Sequence, residues 1–326
     1  MIESIIQTGT SIVQSGIGPA VGVLLGTIFV RRDTKVATLE KLKSGKFAEV
    51  VDDLLESGQM TYMEYAKCNN FLHIAEKADQ INREKKEKAK VKSSSSRRSE
   101  PLDFDWLMRF YDTVNSVTDD DMRNLWASIL AGETVSPGRF SLRTLETIRN
   151  LLPTEADLFQ KLAGNFVRDM SGNYCLIGTT ENLLDINSCY GINDETLYIL
   201  DDCGLIAGSR VEIELFYGDE DYCFAVDGLL MVLSSTNIDN KDAVIYSYPL
   251  SSAGKQLMEI LEKSPNEEYF FDLGWVIQEH FSNYLNVSIH RVQHFIDDDL
   301  CEYDAEDLFK SYKPTGKVKM LTSLDE

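Results

Sequence analysis

Apolar positions recur at helical spacing through the first half of the chain, then give way to short apolar runs and alternation. Val36, Leu39, Leu42, Phe47, Val50, Val51 and Leu54 predict amphipathic helix over 35–55, with Ser44-Gly45 as a break. A second helix is predicted from Thr61 to about Lys92, anchored in its first half by Tyr65, Phe71, Leu72, Ile74, Ala75, Ala78 and Ile81. Trp106, Leu107, Phe110, Tyr111 and Val114 form the next stripe. Thr118 then reads as an N-cap, with Asp119, Asp120 and Asp121 in the first turn, where acids suit the helix dipole. That helix presents Met122, Leu125, Trp126, Ile129 and Leu130 and is expected to end at Gly132. Ser141 caps a helix with Leu142, Leu145 and Ile148 inward; Pro153 stops it, and Thr154-Glu155 opens another through about Met170. The connections are short, as in a helical bundle.

Beyond 170 the pattern changes. A strand is expected at Tyr174–Ile177 and helices near Thr180–Ser188 and Asn193–Asp202, followed by strands at Arg210–Tyr217, Tyr222–Leu233 and Ala243–Tyr248. Asp219-Glu220-Asp221 reads as a hairpin turn. Helix, strand, helix, helix, hairpin is the element order of a winged helix-turn-helix. C-terminal helices are expected at about Glu267–Leu285, Ser288–Phe295 and Asp304–Tyr312. The expected class is mainly α with a smaller α+β part: a helical bundle, a winged-helix-like module and C-terminal helices. The expected segments are 1–32, 33–99, 100–170, 171–263 and 264–326.

The first 32 residues stand apart. Ser4 to Val30 carries no charge, and Gly18, Gly22 and Gly26 stack on one helical face before Arg31 and Arg32. A bare glycine stripe admits a second backbone closely, the small-xxx-small mode of helix association in lipid. The strictly apolar part, Gly16 to Val30, is about 22 Å long as a helix, against a hydrocarbon core of about 30 Å. Two readings stand: a self-associating, membrane-contacting segment, or a segment packed on the rest of the protein. If it spans, the basic residues that follow hold the bulk of the chain in the cytoplasm.

Charge sharpens this division. Residues 1–99 hold 16 basic and 12 acidic side chains, residues 100–326 hold 16 and 41, and the net charge is −21. The acidic body repels phosphate backbones, which argues against general nucleic-acid binding. The helix at 193–202 carries Asp194, Glu195, Asp201 and Asp202 and no Lys or Arg, unlike a DNA-reading helix. The run from Arg83 to Arg98 is strongly basic and reads either as a solvated connector or as a patch for anionic lipid or nucleic acid. Six scattered cysteines without a CxxC pair fit a reducing compartment.

One stretch carries a family signature. Asp121-Met122-Arg123-Asn124-Leu125-Trp126-Ala127-Ser128-Ile129-Leu130-Ala131-Gly132-Glu133, followed by Ser136-Pro137-Gly138-Arg139-Phe140-Ser141-Leu142-Arg143-Thr144-Leu145, resembles bacterial domain-of-unknown-function family 2806 and is similar to the abortive-infection alpha proteins. The resemblance implies a bacterial protein in defence against phage and no established enzymatic activity. Within the signature, Trp126, Leu130, Phe140 and Leu145 read as core, and Glu133, Arg139 and Arg143 are left over. Glu133 either caps, or bridges to Arg139 or Arg143, to fix the loop, or it joins them in a ligand site.

Chemistry beyond this is sparse. His290 and His294 are i, i+4, a spacing that on a helix can bind metal, but no HExxH accompanies them. No P-loop, dinucleotide fingerprint or nucleophile elbow occurs, and no cofactor is expected. The expectation is a non-enzymatic, cytoplasmic anti-phage protein, a homo-oligomer with a protein partner or phage-derived trigger, held at the inner face of the membrane if its N-terminus inserts. The alternatives are an oligomeric interaction scaffold or regulator, and a metal-dependent enzyme using His290 and His294.

Overall fold

The computed structural model describes residues 17–29, 34–89, 102–178, 186–208, 210–215, 221–236, 244–261, 264–282, 285–295 and 301–315. It divides into two compact units, Met1–Pro153 and Thr154–Glu326.

Unit 1 is helical: α1 (Gly18–Phe29), α2 (Val36–Lys43), α3 (Phe47–Glu56), α4 (Tyr62–Ala89), α5 (Phe104–Val114), α6 (Asp120–Val135) and α7 (Leu142–Asn150). Local signals set the helix starts. Thr61 and Glu64 exchange bonds across the start of α4. The carboxylate of Asp103 accepts Trp106 N at 2.8 Å, and the hydroxyl of Ser141 accepts Thr144 N at 3.1 Å. The cap of α6 is Asp119, which accepts Met122 N at 2.9 Å, rather than Thr118. The core joins Leu24 and Leu25 of α1 to Val50 and Leu54 of α3, Phe71 and Ile74 of α4, Phe110 of α5, Trp126 and Leu130 of α6 and Ile148 of α7. Phe110 is the hub of its rings, stacked on Trp106 at 5.1 Å and edge-on to Trp126 at 5.7 Å.

The glycine stripe faces inward. A methyl group on Gly22 would lie 3.5 Å from the Phe47 ring, and one on Gly26 would lie 3.3 Å from Leu42. The bare face is thus covered by α2 and α3 of the same unit. Helix α1 has 12 residues, and among the described residues no helix is long and apolar enough to cross a membrane. Arg31, Arg32 and the basic run from 90 to 98 lie outside the described residues.

Unit 2 is built on an antiparallel sheet. Its elements are α8 (Pro153–Leu162), β1 (Val167–Arg168), β2 (Tyr174–Gly178), α9 (Ile186–Cys189), α10 (Asp194–Asp202), β3 (Val211–Glu214), β4 (Tyr222–Val226), β5 (Leu229–Ser235), β6 (Val244–Pro249), α11 (Ser252–Met258), α12 (Glu267–His280), β7 (Leu285–Phe295) and β8 (Cys301–Tyr303). The strand order is β3-β6-β2-β1-β4-β5-β7-β8. The two-residue β1 joins the halves, pairing Val167 with Cys175 and Arg168 with both Tyr174 and Ala225.

Mixed α+β character is as expected, but several details differ. Ser288–Phe295 is part of strand β7, not a helix. Leu285, Val287 and Ile289 alternate with Asn286, Ser288 and His290, and seven residues of β7 pair with β5, from Leu229↔Arg291 to Ser235↔Leu285. Tyr222–Leu233 is a hairpin rather than one strand, turned at Asp227-Gly228, where Gly228 has φ +86°. The expected pairing of the strand at 210–217 with that at 222–233 does not occur among the described residues: β3 pairs with β6 instead. The expected turn at Asp219–Asp221 falls largely outside them. Asp304–Tyr312 forms only a 3₁₀ turn over Leu308–Ser311. Helix α6 runs past Gly132 to Val135, and Gly132 is there for space: an added Cβ would sit 2.8 Å from the Phe140 ring.

Candidate functional site

The family signature folds into α6, a tight loop and α7. Glu133, 0% exposed in the last turn of α6, aims its carboxylate at the loop backbone. Its Oε1 accepts Gly138 N at 2.6 Å and its Oε2 accepts Phe140 N at 2.8 Å. Burial raises its pKa, against the opposing pull of the Phe140, Gly138 and Arg139 backbone amides and the Arg139 charge. The loop is closed from the other side by Trp106, whose indole N–H donates to Phe140 O at 2.7 Å. Gly138 takes φ +83°, a left-handed turn position that suits glycine. Arg139 lies over the Phe140 ring at 5.4 Å, and Arg143 is exposed in the first turn of α7. Glu133 thus grips backbone amides, with Arg139 beside it and Arg143 pointing to solvent.

In unit 2 the acidic helix α10 is held from both ends. Asn193 and Thr196 form a reciprocal capping box at its start. At its end Gly204, with φ +75°, turns the chain so that Leu205 N bonds Leu200 O. Ser251 ahead of α11 donates to Gly204 O at 2.6 Å, and Gly254 of α11 lies so close to Leu205 O that a Cβ would approach it to 2.0 Å. Ile192 and Leu200 are buried, while Asp194, Glu195, Asp201 and Asp202 face solvent with Tyr198, which is 72% exposed.

A carboxylate absent from the sequence reading organises the C-terminal part. Asp272 of α12 is 0% exposed. It accepts Tyr190 OH and Tyr312 OH, each at 2.6 Å, Thr315 Oγ1 at 2.7 Å and Thr315 N at 3.2 Å. Burial pushes its pKa up, but the hydroxyl and amide donors outweigh burial and hold it below the usual value. The sequence signal was a lone acid on an apolar helix face, Tyr269-Phe270-Phe271-Asp272-Leu273-Gly274.

His290 is engaged in the same way. Its Nδ1 lies 3.0 Å from both Asp304 O and Glu306 O, and its Nε2 lies 2.9 Å from Ser288 Oγ. Two carbonyl acceptors at Nδ1 require the proton there. On a strand, residues four apart are separated by about 13 Å, so the helical i, i+4 geometry by which His290 and His294 could share a metal is absent. The His294 side chain lies outside the described residues, among which no group of three or more His, Cys, Asp or Glu could hold a metal.

These features define a mixed α+β protein of two units whose buried carboxylates serve as backbone and hydroxyl anchors. The chain belongs to the family described as "Protein of unknown function (DUF2806)", whose model matches residues 67–274, a span that takes in Glu133, α10 and Asp272. Comparison with curated proteins and with solved structures gives no match.

Proposed function

We propose that this protein is a non-enzymatic interaction protein, working in bacterial anti-phage defence of the abortive-infection type and recognising a protein partner through unit 2. The observation that carries the non-enzymatic reading is the state of the buried reactive groups among the described residues. Glu133, Asp272 and His290 are each engaged by several structural hydrogen bonds. Burial pushes the thiols of Cys68 and Cys203 up to about 11, which suppresses the thiolate.

The strand order β3-β6-β2, with α9 and α10 between β2 and β3, supports a winged-helix-like reading of this part, with β4 and β5 inserted before the last strand of the wing. Its α10 offers acids and one tyrosine where a DNA-reading helix offers cations, so a cationic protein surface is the better match than a phosphate backbone. The defence setting rests on the resemblance of the signature alone.

The test is phage plating on bacteria that express wild type or the double variant Asp194→Lys, Asp201→Lys, each checked for fold by circular dichroism. Protection by wild type that the folded variant loses supports the reading. Equal protection by both removes α10 as the recognition element, and no protection by wild type across a phage panel removes the defence role.

A second reading, a homo-oligomeric scaffold, is favoured by Val36, Tyr62 and Met63. All three are exposed, and the Thr34–Gln59 hydrogen bond of 3.1 Å brings the segments that carry them together. A mass measurement in solution before and after Tyr62→Ser, Met63→Ser tests it: an oligomer that dissociates supports it, and a monomeric wild type refutes it.

A further inference from the structure

Strand β7 carries β8 on its outer edge over three residue pairs, Val292↔Tyr303, His294↔Glu302 and Phe295↔Cys301. Where β8 stops, single polar groups take over that edge. Arg291 O accepts Asp304 N at 2.8 Å, Ile289 N donates to Asp307 Oδ1 at 3.1 Å, and Val287 N donates to Gln278 Oε1 at 2.7 Å. Residues 301–315 thus run on as a strap along β7 and over α12, all within unit 2. Phe309 sits against Gly274, where an added Cβ would lie 3.3 Å from its ring, and Tyr312 packs on Phe271 with ring centres 5.0 Å apart. Tyr312 and Thr315 supply three of the four hydrogen bonds that Asp272 accepts.

The strap and its seat differ in burial. From Glu302 to Thr315 no residue is buried, whereas Asp272, Gly274 and Ile289 beneath them are. A segment held by polar anchors and half-buried rings opens at a lower free energy than the core it covers. Once lifted, it leaves a carboxylate short of donors and an edge amide short of an acceptor, and both are costly to leave unpaired.

The seat therefore selects its occupant. It calls for a carboxylate at Ile289 N, an aromatic ring over Gly274 two residues on, and hydroxyls at Asp272 three and six residues beyond that ring. The strap of a second copy meets every one of these requirements with the same geometry. The sequence between β7 and β8 favours such an exchange. It reads Ile296-Asp297-Asp298-Asp299-Leu300, and three adjacent like charges oppose a tight reversal of the chain.

We propose that two copies of this chain exchange residues 301–315, each strap closing the other's β7 edge and Asp272 seat in a domain-swapped dimer. The inference rests on neither reading given above, since it uses neither α10 nor Val36, Tyr62 and Met63.

The test places Val292→Cys and Tyr303→Cys, partners across β7 and β8, in the full chain carrying Tyr62→Ser and Met63→Ser. Protein is held concentrated and reduced, then diluted and oxidised at once. A closed strap gives an intramolecular disulfide and an exchanged strap a covalent dimer, while each single-cysteine variant measures linkage through native thiols. Expected is a covalent dimer whose share rises with the holding concentration and which neither single variant forms. Closed and exchanged forms contain the same strap contacts. Tyr312→Phe, which removes one donor to Asp272, should therefore speed their interconversion about tenfold and leave the dimer share unchanged. That faster exchange also keeps a slow step from hiding the dimer. Monomer alone at every concentration in the Tyr312→Phe protein overturns the proposal. So does a dimer that the single variants form equally, or one whose share falls in Tyr312→Phe while circular dichroism is unchanged.

Discussion

Replacement of Glu133 probes the signature most directly. In Glu133→Ala the amides of Gly138 and Phe140 lose acceptors at 2.6 and 2.8 Å, and the Phe140 amide is buried. Hydrogen bonds to a charged group contribute about 1.5–3 kcal/mol each. The desolvation that raises the Glu133 pKa offsets part of this, so a net loss of about 3 kcal/mol is expected. For a unit of this size that corresponds to a fall in Tm of roughly 6–12 °C. Glu133→Gln keeps one acceptor but sets an NH₂ donor against the second amide, and about 2 kcal/mol is expected. Urea unfolding of the full chain in a Trp275→Phe background reads this out, because the remaining tryptophans, Trp106 and Trp126, both lie in unit 1. If both variants unfold within about 0.5 kcal/mol of the parent, the carboxylate is not what holds the loop.

Asp272→Asn addresses pH. The folded pKa of Asp272 lies below its ordinary 3.8, so the unfolded chain binds the proton more readily. Stability from this group is present above that value and is lost as pH falls through the folded pKa. Wild type should therefore lose stability relative to the Asn variant on acidification below about pH 4, read by urea unfolding followed by circular dichroism; parallel curves would refute the assignment. Gly254→Ala should destabilise unit 2 by at least about 2 kcal/mol, since the new methyl meets the Leu205 carbonyl, and a chemical denaturation midpoint equal to wild type would contradict that contact. Gly22→Leu should lower the stability of unit 1 through a clash with Phe47, with the mass in solution unchanged; a changed oligomer at wild-type stability would show the stripe facing another copy.

Where periodicity was long and capped, the sequence was legible. The stripes of α3 to α7 and the cap at Ser141 follow from local chemistry alone. Misreadings came where two periods compete. His290 and His294 fit a helix by spacing, yet the alternation Leu285-Asn286-Val287-Ser288-Ile289 is a strand, and pairing with β5 decides the matter. The Asp227-Gly228 turn was readable as a hairpin signal inside what otherwise looks like one long apolar strand. Glu133 stands out in the sequence as an acid at the signature loop, for loop fixing or for a ligand, but its partners are backbone amides, which carry no sequence signal. Asp272 gathers Tyr190, Tyr312 and Thr315 from sites far apart in the chain, which is not a local property.

The two-residue strand β1 gives the sheet of unit 2 a joint. Elsewhere neighbouring strands are laced by ladders of up to seven residue pairs, whereas the halves meet through Val167 and Arg168 alone. Twisting motion has least resistance there, so one half carries α10 as an arm and the other carries α12 as a base. The Tyr190–Asp272 bond runs between arm and base as a tether. Any twist at the joint must stretch or break that bond, so the buried carboxylate at its far end resists it.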